Sequence, residues 1–266
     1  QVQPTRNIKV RHRFPLPGKW TPQNPPRGFS YFSSYGCPEP CTFCCSPALT
    51  GMRWKAVEGR ALAEDIAELQ QRFKFDVLRF QDANFGVAEK RSNDFCETLV
   101  EAGSPFWWSG CYEIETLDRY RTESLDLMQA AKCHMISVGA EAGSQEQQEN
   151  IKKAIDVTHF EYALGEMNRR NITTGCSWII GYPGESEESM NATITLAAKI
   201  KHLFPNSPSD IFPFRAIPGT EDFDTAVAAG YKPPHSLEDW GGCLEYKYEI
   251  NDTCLPADVI QRWKRL

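Results

Sequence analysis

Between residues 28 and 220 short strand-like runs alternate with stretches of helical periodicity, and that alternation leaves few architectures open. Aromatic and Ser-rich residues at 29–35 read as a first strand. After it, Leu62, Ile66, Leu69 and Phe73 recur at helical spacing within 58–73, one apolar face with Glu and Gln opposite. Further strands are expected at 77–82, 106–112, 135–140, 173–180 and 210–214. Helices are expected in between: one opened by Ser92 and carrying Phe95 and Leu99, a short one at 125–131, helical stretches at 145–154 and 158–170, and a long one at 186–203. Glu187 and Glu188 suit the positive end of that last helix. Pro213 confines the sixth strand to an edge or a bulge, because proline donates nothing to a ladder. Strand and helix in strict succession imply parallel strands joined by right-handed crossovers, which for six units is a partial (β/α)6 barrel.

The flanks read differently. Residues 1–27 carry Pro4, Pro15, Pro17, Pro22, Pro25 and Pro26 without an apolar period, a proline-rich connector; the basic run 6–13 within it reads as a solvated tether. Residues 221–266 read as an extension packed on the barrel, with a short helix at 222–229 ended by Gly230 and with Trp240, Leu244, Tyr246 and Tyr248 supplying docking area. At 266 residues the chain can bury one large core. No apolar run is long enough to span a membrane, and nothing at the start reads as a signal peptide, so the expected compartment is a reducing cytoplasm. A net charge of -6 with dispersed acids lacks the clustered Lys and Arg that nucleic-acid binding draws on.

Ten cysteines are too few for a disulfide scaffold. Three of them stand together, Cys37, Cys41 and Cys44, in Gly36-Cys-Pro-Glu-Pro-Cys-Thr-Phe-Cys44. Iron-sulfur cubes normally take four thiolates, so a compact group of three suggests an iron left open for a ligand that is not protein. Pro38 and Pro40 stiffen the loop. A structural zinc site would take four ligands, usually from two knuckles, and Cys96, Cys111, Cys133, Cys176, Cys243 and Cys254 are scattered singly. Cys45 is adjacent to Cys44 and could compete as a ligand; packing is its alternative role.

The spacing C-x3-C-x2-C with Phe43 before the last cysteine resembles the signature of the radical S-adenosylmethionine (radical SAM) superfamily. The resemblance continues through Phe80-Gln-Asp-Ala-Asn-Phe85, Ser137-Val-Gly-Ala-Glu-Ala-Gly-Ser144, Ile180-Gly-Tyr-Pro-Gly-Glu185 and Ile217-Pro-Gly-Thr220, in the order that family has them. It implies a 4Fe-4S cluster on Cys37, Cys41 and Cys44 whose open iron chelates SAM. It also implies reductive cleavage of SAM to methionine and a 5'-deoxyadenosyl radical that abstracts a substrate hydrogen. Cofactor contacts carried over by the motifs are Phe43, Ile179, Ile180 and Gly181 at adenine, Glu141 at the ribose or amino group of SAM, and Asp82. Each has a plainer reading: loop packing for Phe43, a turn or cap acid for Asp82, an ordinary exposed acid for Glu141, turn shaping for Gly181 and Gly184. Cys111, Tyr112, Glu113 and Cys176 are barrel-lining candidates for substrate, with packing as their alternative. Departures from the family pattern are Gln81 in place of an acid, Ala142 after Glu141, and no arginine at the end of the third strand.

The motifs most resemble the class whose barrel follows a cobalamin-binding domain, including methyltransferases and ring-forming enzymes, so such a domain is expected upstream of residue 1. The expected partners are a small-molecule substrate and an electron donor such as flavodoxin or ferredoxin, with nucleic acid disfavoured. The catalytic residues beyond the cofactor contacts are not legible. A non-catalytic iron-sulfur or zinc protein and an RNA-modifying radical SAM enzyme are the competing readings.

Overall fold

The computed structural model describes residues 24–244. The connector up to residue 23, the basic run 6–13 and the side chains of Leu244, Tyr246 and Tyr248 lie outside them. Chain order runs β1 (Gly28–Tyr31), β2 (Ser34–Tyr35), α1 (Ser46–Thr50), β3 (Lys55–Ala56), α2 (Gly59–Phe73), β4 (Val77–Phe80) and α3 (Glu89–Glu101). It continues with β5 (Trp107–Glu113), α4 (Ile114–Arg119), α5 (Thr122–Ala130), β6 (Cys133–Glu141), α6 (Gln145–Asn150), a 3-10 turn at Val157–His159, α7 (Phe160–Arg169) and β7 (Thr173–Ile180). The last elements are α8 (Glu187–Leu203), β8 (Ser209–Pro213), α9 (Glu221–Ala228) and α10 (Leu237–Leu244). Among the described residues β1-β4-β5-β6-β7-β8 form one six-stranded sheet, parallel throughout, as the alternation requires. β8 is an edge strand, so Pro213 costs no internal ladder bond.

Strand alternation separates the two faces. Leu78, Phe80, Trp108, Tyr112, Ile136, Val138, Cys176, Trp178 and Ile180 are buried in one core with Leu62, Ile66, Phe95, Leu99, Leu164 and Met167 of the helices. Phe80, Phe85, Phe95 and Trp108 stack edge to face or tilted, with centroids 4.5–6.1 Å apart. The opposite, concave face carries Ser30, Arg79, Ser109, Cys111, Ser137 and Glu113, only partly covered.

Several boundaries differ from the sequence reading. The run 29–35 is two strands, because Ser33 leaves the sheet to donate its N–H and hydroxyl to Asp82. Ser34–Tyr35 then pairs antiparallel with Lys55–Ala56. Ser92 does not open its helix, which begins at Glu89; its hydroxyl is buried 3.1 Å from the Tyr120 hydroxyl. The stretch 145–154 is helical only to Asn150, since Lys152 takes a left-handed φ of 57° that turns Lys153 inward. Helix α4, directly after β5, has no signal among those that the strand and helix periods supply.

Candidate active site

The cysteine loop leaves β2 at the C-terminal end of the sheet, where parallel α/β folds gather their sites. Gly36 makes the departure possible: its φ is 85°, and an added Cβ would lie 1.9 Å from the Arg53 carbonyl oxygen. Three anchors then fix the loop. Asp82, 1% exposed, accepts from Ser33 N–H (3.1 Å), from the Ser33 hydroxyl (3.1 Å) and from the Ser34 hydroxyl. Arg91 donates to the Ser33 hydroxyl at 2.6 Å and to the Val57 carbonyl at 2.7 Å. Thr42, between the second and third cysteines, donates its N–H to the Ile151 carbonyl and its hydroxyl to Asp222 at 2.9 Å, while its own carbonyl accepts from Asp222 N–H.

Cys37 and Cys41 are buried and Cys44 half-buried, all free thiols. Burial pushes the Cys37 thiol up to about 11 and Cys41 to about 12, with Glu113 adding to both. Cys44 is raised by burial and partly offset by the Ser46 N–H, which donates to its Sγ at 3.4 Å. Metal loading would therefore displace three protons. Among the described residues no three His, Cys, Asp or Glu side chains close on a point suited to a single metal ion.

Beside the thiols lies a group that the sequence did not reveal. The Lys153 ammonium, with its side chain 4% exposed, sits 2.6 Å from Glu113, 3.2 Å from Glu141 and 2.9 Å from the Gly139 carbonyl. Burial would lower Lys153, but Glu141, Glu113 and Cys41 raise it instead; Glu141 is raised by burial, eased by Lys153 and reinforced by Glu113. One cation thus serves two carboxylates, leaving an excess of negative charge next to the cysteines. Glu141 occupies a bulge in β6 with φ 58°, an uncommon conformation for a residue with a Cβ. Gln148 braces it by donating to the Ala140 and Ala142 carbonyls at 2.8 and 2.6 Å. Gly139 leaves the space: a Cβ there would meet Glu141 Oε1 at 2.3 Å.

The remaining expected residues divide. Phe43 meets Tyr182 edge to face at 5.7 Å, and Tyr182 meets Phe214 at 5.4 Å, an aromatic wall beside the loop. The Tyr182 hydroxyl is buried without a partner among the described residues, close enough to Glu141 and Cys41 to feel their charge. Ile179 faces the concave side, whereas the Ile180 side chain is fully buried in the helix-facing core, leaving only its backbone toward the site. Gly181 has φ 84°, and its N–H donates to Glu185 at 2.6 Å, so the Gly-Tyr-Pro-Gly-Glu turn is closed by its own acid. Asp82 faces Ser33 and Ser34, and Tyr112 and Cys176 pack under the helices. Lys153 is the residue that sequence reasoning missed; its signal was masked by Lys152 next to it in an expected helix.

Three thiols on one braced loop, an adjacent carboxylate pair and an orphaned buried hydroxyl fit a three-cysteine cluster with a bound polar cofactor. Fold and site together define a partial-barrel protein of the kind that couples a cluster to a small cofactor. Comparison with known proteins names the family: the radical SAM superfamily pattern matches residues 31–197, and the chain belongs to that superfamily. An uncharacterised methyltransferase of Pyrococcus horikoshii is 27% identical over 168 residues, which are 63% of this chain and 36% of that protein. A tRNA-2-methylthio-N(6)-dimethylallyladenosine synthase of Corynebacterium jeikeium is 30% identical over 206 residues, 70% of this chain and 38% of the relative. The chain thus spans little more than a third of these relatives' length. Among solved structures, the radical SAM methyltransferase TsrM of Kitasatospora setae with tryptophan and a SAM analogue superposes with a TM-score of 0.60 at 17% identity, over 73% of this chain and 37% of TsrM. The cobalamin-dependent radical SAM enzyme OxsB with aqua-cobalamin and SAM gives 0.56 at 15%, over 76% and 29%. Both similarities bear on the fold, a partial barrel around a parallel sheet. No helix of the described residues is long and apolar enough to cross a membrane.

Proposed function

We propose that this chain is the catalytic core of a radical SAM enzyme that modifies a small molecule by methyl transfer or ring formation. The observation carrying this reading is the three-thiol loop set against Lys153, Glu113 and Glu141. Cys37, Cys41 and Cys44 would hold the 4Fe-4S cluster and leave one iron open. When bound there, the cluster and SAM supply the electron and the 5'-deoxyadenosyl radical. The chain's own residues hold and orient. Lys153 holds Glu113 and Glu141 in place; Glu141 takes an ammonium or ribose hydroxyl; Phe43, Ile179 and the backbone of Ile180 and Gly181 border the base. Tyr182 supplies an unused hydroxyl, and Asp82 keeps the loop in place.

Names of relatives support methyl transfer, and the cobalamin bound in structures of TsrM and OxsB supports its use here, delivered by a domain outside this chain. A cytoplasmic setting with flavodoxin or ferredoxin as electron donor completes the reading. The tRNA-modifying relative supports a second substrate class, against which stand the net charge of -6 and its dispersed acids. Tight RNA binding that weakens steeply with salt would favour that class instead. The decisive experiment is anaerobic cluster reconstitution, reduction in the presence of SAM, and detection of 5'-deoxyadenosine. Product above a cluster-free control is expected; none from a protein with four intact irons overturns the enzyme reading.

A further inference from the structure

The concave face has a cation that the cofactor site leaves unused. Ser30, Arg79 and Ser109 are cross-strand neighbours in the register of β1, β4 and β5, so a hydroxyl, a guanidinium and a hydroxyl form one row. Their chain neighbours Leu78, Phe80 and Trp108 are buried in the helix-facing core, which sends the row to the other face. Arg79 is exposed there, and among the described residues no carboxylate pairs with it. The nearby acids are committed elsewhere: Glu113 to Lys153, Asp82 to Ser33 and Ser34. One step up the sheet, on the same face of β5, stands Cys111, near enough to Arg79 to feel its positive charge.

We infer that the row Ser30, Arg79 and Ser109 binds an oxyanion of the substrate, a carboxylate or a phosphate, and so holds the molecule with its other end toward the cysteine loop. This rests on the reading of the concave face as the place where substrate meets the SAM-derived radical. The planar guanidinium donates two parallel hydrogen bonds to such a group, and the flanking hydroxyls supply two more. Four residues of β5, about 13 Å at the strand rise, separate Ser109 from Glu113 at the level of the cofactor site. The substrate class is therefore an elongated small molecule, anionic at the end remote from the chemistry.

Binding of inorganic phosphate and of succinate to the cluster-loaded protein, titrated calorimetrically at low ionic strength, tests the assignment. Wild type is expected to take up at least one of them saturably. R79Q should weaken that uptake at least tenfold, R79K less, and the double variant S30A/S109A severalfold, a second reading should R79Q fold poorly. Phosphate alone or succinate alone would each support the site and choose its ligand. Equal uptake by wild type and R79Q, or no saturable uptake by wild type, overturns it. SAM titration of the wild-type protein is read separately: failure there sinks the proposed function and leaves the anion result standing.

Discussion

Glu141 combines a buried carboxylate, a left-handed backbone and a shared cation, and its replacement separates stability from binding. Its folded value lies above the usual 4.5, raised by burial, so the folded state holds its proton more tightly than the unfolded chain. That contribution is present below pH 4.5 and is lost as pH rises through the folded value. Glu141→Gln removes the ionisation cost and leaves Lys153 with Glu113. The cofactor-free protein should melt no lower than wild type at pH 7, while SAM affinity in the loaded protein falls at least tenfold; a large loss of melting temperature with unchanged SAM affinity would contradict this. The cysteines give a simpler expectation. Cys37→Ala, Cys41→Ala or Cys44→Ala should each abolish the cube, because a site already one thiolate short has none to lose. Cys45→Ala should keep its iron, measured by chemical assay, and an iron-poor Cys45→Ala beside an iron-replete Cys44→Ala would reverse the assignment. The three-cysteine group was visible in the spacing, with Cys45 left open between ligand and packing. Lys153 was not, since what turns it inward is the φ of its neighbour, and what holds it there are acids 12 and 40 positions away in the chain.

At the scale of elements, legibility followed locality. Helix α2 and strand β7 stand within a residue of their expected bounds because their apolar period decides them. The break between β1 and β2 was hidden, for it is made by Asp82, 49 positions from Ser33. Asp82→Ala therefore tests whether the loop needs that tether. Hydrogen bonds to a buried charge contribute roughly 1.5–3 kcal/mol each, and this substitution removes them while leaving Arg91 beside unpaired donors. The fold should survive on its aromatic core. Amides near Ser33 should exchange faster, and reconstituted iron should drop to less than half of wild type; unchanged exchange would show that Arg91 alone suffices.

Across the whole molecule, the segment after β8 reaches back to the cysteine loop. The first turn of α9 clasps the loop at Thr42, and Lys152 pairs with Glu221 at 2.7 Å from the same side. A chain ending at Gly219 is expected to keep its parallel sheet by circular dichroism yet load less iron, and Asp222→Ala to lose a smaller part of it. Full iron in the shortened chain would reduce the segment to packing.

Thr42 also sets an order of events. Its partners are Ile151 and Asp222, 109 and 180 positions downstream, so the loop cannot reach its final shape until nearly all of the barrel has left the ribosome. Contacts of such long range form late, after the local helices and neighbouring strands have met. Nascent chains arrested before residue 222 should therefore expose the three thiols to alkylation, and released chains should shield two of them. Iron loading of this chain is therefore expected to follow its release from the ribosome rather than to accompany its synthesis.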